Sequence, residues 1–235
     1  MTSGVARRNC RRCGRTPVGE RLVDDRCVRC RALALVDGFD DALAGHARRV
    51  TMVAVQVADE LHIAPELHRD VELGGLLHDI GKLVIPAAIL AKAGPLTVEE
   101  TELMRTHVIE GEQLAAGLEA LPPSIPPVVR ASHERWDGHG YPDRLRADRI
   151  PLAARIVSCA DAFDAMTSSR SYRPALPMDF ALEIIREEAG AQFDPEVARA
   201  LISAVGRWEF ELAAEPMTSA FDETLRRLRR ADARL

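Results

Sequence analysis

The sequence predicts an all-α protein, and three observations carry the prediction. Apolar residues recur at i, i+3 and i+4 through most of the chain, the period of one buried helix face. No stretch of useful length alternates apolar and polar residues as a half-buried strand does. Helix start signals also open the apolar runs. Thr97-Val98-Glu99-Glu100 reads as a capping box, and Asp194-Pro195 as an N-cap followed by proline at the first helical position.

In chain order, the first element is not a helix. Cys10-x-x-Cys13 and Cys27-x-x-Cys30 stand thirteen residues apart, and two such knuckles can close a tetrahedral thiolate site on one zinc ion. So short a peptide has no core of its own, so the metal would supply its folding energy. Two disulfides are the competing reading, disfavoured where no export signal precedes them. Helical periodicity follows over Val36–Ile63 and Asp70–Leu83, and the capping box at Thr97 opens a helix to about Gly117. Pro122, Pro123, Pro126 and Pro127 read as a stiff connector. Helices are then expected at about 127–136, 151–167, 178–189 and 195–206, and a last one at 218–232 with Phe221, Leu225 and Leu228 on one stripe.

Composition bounds the function. A hydrophobic share of 47% excludes a disordered chain, and aromatics at 4% leave the core to aliphatic side chains. No run approaches the roughly 18 apolar residues of a membrane helix, and the first residues are rich in Arg and Cys rather than apolar, so a cytoplasmic location is expected. Charge is partitioned: residues 1–31 hold nine Arg against three acids, residues 222–235 five Arg against three, and the segment between carries a net −13. The basic head suits nucleic acid, a partner protein or the chain's own acidic body. Few aromatics there argue against base stacking, which favours protein contact. The Arg-rich last helix suits a solvated face with one packed stripe, which could also serve a homodimer.

Histidines and aspartates then recur on inward faces. His78-Asp79 end an apolar helix in LLHDIGK, His46 lies a helix earlier, His107 and His133 come later, and Asp161 sits in CADAFDA. Buried polar groups need partners, and imidazole with carboxylate suits Fe, Mn or Zn, with Asp79 able to bridge two ions.

The run GHARRV, LLHDIGK, ILAKAGPLT, MRTHVIEGEQL, HERWDGHGYPDRL, IPLAARIVSCADAFDAMTSSRSYR and GAQFDP resembles the HD-GYP family over about residues 45–195. The resemblance implies a helical bundle carrying divalent metals, Fe or Mn, and hydrolysis of cyclic di-GMP or a related cyclic dinucleotide to pGpG or GMP. It places His46, His78, Asp79 and Asp161 at one ion, with Asp79 bridging to a second completed by His107 and His133. Lys82 would face the scissile phosphate, Arg170 and Arg173 the nucleotide phosphates, and Asp164 would position ligands. Gly140, Tyr141 and Pro142 would shape the substrate mouth, a surface that contacts diguanylate cyclases in the family. The chain divides on this reading into a zinc-ribbon-like module at 1–32, an HD-GYP-like helical domain at 33–212 and a C-terminal helix at 213–235.

Two departures qualify the expectation. The family's HHE reads Ser132-His133-Glu134, and a serine hydroxyl is a poor ligand for these metals. Ala42 stands where trinuclear members carry a glutamate, so one or two ions are expected, not three. Two alternatives remain beside the hydrolase: a catalytically weakened module that binds nucleotide or protein partners, and an HD phosphohydrolase for another phosphoester.

Overall fold

The computed structural model describes residues 10–11, 26–37, 41–118, 121–169 and 174–214. Cys13, Arg170, Arg173 and the helix expected at 218–232 lie outside them. Among the described residues there are ten α-helices and no strand. They are α1 Val28–Val36, α2 Asp41–Glu60, α3 Pro65–Leu77, α4 Ala87–Leu90, α5 Val98–Arg105, α6 His107–Ala116, α7 Ile125–Arg130, α8 Leu152–Thr167, α9 Met178–Glu187 and α10 Pro195–Ala214. A 3₁₀ turn, Ile80–Val84, follows α3.

Two aliphatic clusters hold the bundle. The larger joins α2, α8, α9 and α10 through Val50, Val57, Ile156, Val157, Ile185 and Leu201, with Val71 of α3 and Val128 of α7, and only Phe163 and Phe193 add aromatic rings to it. The smaller joins α1, α2, α3, α6 and α7 around Leu73, Leu77, Ile125 and Val129. Leu73 and Leu77 are fully buried, so truncating either to alanine should cost about 2–5 kcal/mol. Both clusters draw on α2, α3 and α7; α2 carries His46, and α3 ends at His78.

Local chemistry sets where the predicted helices break. The periodicity over Val36–Ile63 spans two helices: α1 stops at Asp37, whose carboxylate pairs with Arg48, and α2 stops before His62, which takes φ 52°. α3 starts with Pro65 in its first turn, ahead of the expected Asp70, and ends at Leu77 rather than Leu83. The helix from Thr97 is divided at Thr106, whose hydroxyl donates to the Leu103 carbonyl at 2.8 Å; the capping box is present, with Glu100 N–H donating to Thr97 Oγ1 at 3.2 Å.

The proline connector needs correction. Pro126 and Pro127 lie in the first turn of α7, where a missing amide leaves no hydrogen bond unmade. α7 ends at Arg130, so the expected helix over 127–136 is cut short and HERWDGHGYP lies in turns. At the far end Asp194 caps α10 by accepting from Glu196 N–H at 2.8 Å, and Arg155 on α8 donates to the same carboxylate at 2.7 Å.

Candidate metal centre

Asp79 stands at the middle of the site. It is the N-cap residue of the 3₁₀ turn, is 1% exposed, and each of its carboxylate oxygens faces a different set of histidines. Oδ2 lies 3.3 Å from His78 Nε2 and 3.7 Å from His46 Nε2, while Oδ1 lies 3.4 Å from His107 Nε2. Asp161 on α8 adds a carboxylate oxygen 3.1 Å from His46 Nε2 and 4.0 Å from His78 Nε2. Two donor groups result, His46–His78–Asp79 and Asp79–His107–His133, each with ligand atoms within 4.8 Å of one another.

The histidines share one orientation. His46 Nδ1 donates to Asp164 Oδ2 at 2.7 Å, His78 Nδ1 to the Gly75 carbonyl at 2.9 Å, and His107 Nδ1 to the Met104 carbonyl at 2.8 Å. An oxygen that only accepts keeps the proton on Nδ1, so each ring presents its Nε2 toward Asp79, as a lone pair once the ring is neutral. Four atoms at this point are buried without a hydrogen-bond partner: His78 Nε2, Asp79 Oδ1, His107 Nε2 and His133 Nε2. An orphaned buried polar atom costs about 1–3 kcal/mol, and four converging ones fit a bound cation. The nitrogen and carboxylate donors suit Fe, Mn or Zn.

Electrostatics divide the two groups. Burial works against the His46 imidazolium, but hydrogen bonds to Asp161 and Asp164 and the charge of Asp79 outweigh it and lift its pKa to about 9. Burial likewise opposes the His78 cation, and Asp79 more than offsets that, raising its pKa. In the second group burial dominates: it lowers His107 and pushes His133 down to about 4, so both rings are neutral at neutral pH. Burial would raise Asp79, yet the charges of His78 and Lys82 hold its carboxyl well below the usual range.

The surrounding residues set the ligands in place. Asp164 is gripped by Arg49, whose Nε donates at 2.6 Å, and by Ser168 Oγ at 3.1 Å. Lys82 Nζ donates to Asp79 Oδ2 at 2.6 Å. Gly81 admits the close approach of α6: a Cβ there would lie 1.8 Å from the His107 carbonyl oxygen. Tyr141 packs on His133, and Gly140 and Pro142 flank it in a loop held by Glu134, which accepts from Asp143 N–H at 2.7 Å and Leu145 N–H at 3.0 Å.

The described ligand positions expected from sequence thus come together around Asp79. Ser132 is buried beside them, but its hydroxyl donates to the Val129 carbonyl at 2.8 Å rather than reaching the donor groups. His139 is exposed, and His62 and His68 lie elsewhere. Sequence reasoning missed Arg49, Arg105 and the role of Glu134. Arg49 carried a signal, three residues after His46 and so on the same helix face; Arg105 and Glu134 act through loop geometry that no spacing encodes.

An all-helical bundle with two histidine groups sharing one buried carboxylate defines a protein built around a divalent metal centre. The chain belongs to the HD domain family, whose model matches residues 34–197. It is 39% identical over 182 residues to the cyclic di-GMP phosphodiesterase response regulator RpfG of Xanthomonas campestris pv. campestris, covering 77% of this chain and 47% of that protein. It is 35% identical over 200 residues to the 3′3′-cGAMP-specific phosphodiesterase 3 of Vibrio cholerae serotype O1, covering 84% and 43%. The crystal structure of the cyclic GMP-AMP specific phosphodiesterase V-cGAP3 of V. cholerae shares the fold, with a TM-score of 0.61 at 20% identity over 85% of this chain and 52% of that one. The chain spans about half the length of the curated relatives it matches. Among the described residues no helix is long and apolar enough to cross a membrane.

Proposed function

We propose that this chain is a metal-dependent phosphodiesterase that opens a cyclic dinucleotide, taking cyclic di-GMP to the linear pGpG or on to GMP, or its 3′3′-cGAMP relative to the corresponding mixed linear dinucleotide. The observation that carries the reading is the pair of donor groups sharing Asp79, with four buried ligand atoms left without partners. His46, His78, Asp79 and Asp161 would hold one divalent ion, Fe or Mn, and Asp79, His107 and His133 a second. Such ions supply Lewis acidity toward a phosphoryl oxygen and lower the pKa of water.

The chain's own groups do the rest. Lys82 places an ammonium beside Asp79, where it can offset charge developing on a phosphate. Asp164 holds the His46 ring with its Nε2 directed inward. Arg170 and Arg173 are assigned to the nucleotide phosphates on the motif alone. Tyr141, between Gly140 and Pro142, forms a wall of the site against His133 and is assigned the substrate mouth. That loop is also the surface where a diguanylate cyclase partner would dock.

One observation favours a second reading, a module that binds the nucleotide without turning it over: the Ser132 hydroxyl is committed to the backbone and adds no ligand to the second group. Hydrolysis of cyclic di-GMP and 3′3′-cGAMP by protein purified without oxygen and supplied with Fe(II) or Mn(II) decides between them. Turnover that disappears in Asp79→Asn supports the enzyme. Nucleotide binding with no turnover at full metal content supports the module, and turnover of other phosphoesters alone moves the substrate elsewhere.

A further inference from the structure

The cysteine head is a motif that the proposed hydrolysis leaves unused. Cys10, Cys27 and Cys30 are buried, and their sulfurs all lie within 4.8 Å of one another. Sulfurs on one tetrahedral zinc, with bonds of about 2.3 Å, stand roughly 3.8 Å apart. A modest contraction therefore closes the three on an ion. The Cys27 N–H donates to Cys10 Sγ at 3.3 Å, a contact that favours a sulfur carrying negative charge. Cys27 is also the N-cap of α1 and Cys30 lies in its first turn, where the positive end of the helix dipole favours thiolate. Residues 1–31 hold nine Arg against three acids, a positive balance that suits a negatively charged zinc thiolate.

Helix α1 connects the cysteines to the other metal centre. The three form a cluster of their own, apart from the aliphatic cores. α1 then carries Val28, Ala32 and Val36 into the smaller core, among Leu73, Leu76, Leu77 and Ile80, and Arg29 pairs with Glu72 on α3. Leu77 and Ile80 immediately flank His78 and Asp79. α1, which starts at the cysteines, therefore packs against α3, the helix that leads into the His78–Asp79 turn, and it runs through residue 32, the boundary expected from sequence between head and body.

We propose that Cys10, Cys27 and Cys30 hold a zinc ion that staples α1 onto α3 and so braces the His78–Asp79 turn. Zinc at the head and the divalent ions at the histidines are then linked through one shared core. Loss of zinc frees α1, loosens Leu76, Leu77 and Ile80, and weakens metal retention at Asp79 without removing a ligand there.

The test uses the full chain after chelator treatment and reads neither turnover nor nucleotide binding, so its failure is distinct from failure of the hydrolysis reading. Cobalt(II) should give a thiolate-to-metal charge-transfer band in the native chain and in Asp79→Ala, and zinc should bleach it. The band should be absent from Cys27→Ser and Cys30→Ser. In the Asp79→Ala background, zinc loading should slow amide exchange in α1 and residues 73–80 by about tenfold. Cys30→Ser on that background should lose the effect, and Cys30→His, which keeps a ligand, should regain it. A native chain without the band, or one that retains iron instead of zinc at the cysteines, overturns the site. Exchange in residues 73–80 that ignores zinc overturns the brace.

Discussion

The ring of Tyr141 lies flat on that of His133, 5.3 Å between centroids and 9° between planes. The Arg105 guanidinium carbon lies 5.3 Å from the centroid of the same tyrosine ring. His133 is thereby fixed in plane by a stack, where His46, His78 and His107 are fixed by Nδ1 hydrogen bonds. Tyr141→Phe keeps the stack and should keep metal. Tyr141→Ala should weaken binding at the Asp79–His107–His133 group by about tenfold, the scale seen when a ligand's support is removed. Calorimetric metal titration of the two variants checks this.

Gly140 gives that stack its position. A Cβ at residue 140 would lie 2.4 Å from the Arg135 nitrogen and 2.5 Å from the Glu134 Cα, both backbone atoms that cannot swing aside. Gly140→Ala should therefore displace the loop, and its metal retention should fall at least as far as that of Tyr141→Ala. Metal content after gel filtration reads the result.

Asp164 touches no other carboxylate of the site, yet it directs His46. Asp164→Asn keeps the shape but removes the charge that Arg49 and His46 share. The expected outcome is about 10–100-fold weaker binding at the His46–His78–Asp79 group, with the second group unaffected. Competition against a chromophoric chelator separates the two.

The two groups should respond to acid in different order. His46 must release its proton to bind an ion, and with a pKa of about 9 it still carries that proton throughout the neutral range. Falling pH therefore strengthens the proton's competition there, whereas His133, at about 4, offers a free lone pair down to mildly acidic pH. Between about pH 8 and about pH 5, ions should leave the His46 group first, and ions taken up at pH 7 should release protons in weakly buffered solution. A pH-stat during metal addition measures both.

Ser132 is expected to be structural. Its buried hydroxyl donates to the Val129 carbonyl, so Ser132→Ala should cost about 1 kcal/mol of stability and leave metal content unchanged. Loss of an ion in this variant would make the hydroxyl a ligand after all. Chemical denaturation beside elemental analysis gives both numbers.

The residues that converge on Asp79 were legible because each sits in a short run with helical apolar neighbours, so direction and residue type could be read together. Helix breaks were less legible. The gap at Asp37, the halt at Thr106 and the tightening after Leu77 come from single side chains or tertiary packing that leave periodicity intact. The prolines misled because their cost depends on position within a turn: at the start of α7, Pro126 and Pro127 have no amide to forfeit. Glu134 was visible only as part of a motif, and its hold on Asp143 and Leu145 becomes apparent once the loop has folded back on it.

The placement of one carboxylate between two histidine groups has a thermodynamic consequence. If both groups hold an ion, the positive charge of one beside Asp79 would oppose the other, and each occupant would lower the other's affinity by the same factor. Metal loading would then be a single negatively cooperative equilibrium, and at limiting supply half-filled molecules would outnumber those expected from independent sites. Stoichiometry in such a protein reports the free ion concentration of its surroundings as much as its ligand count.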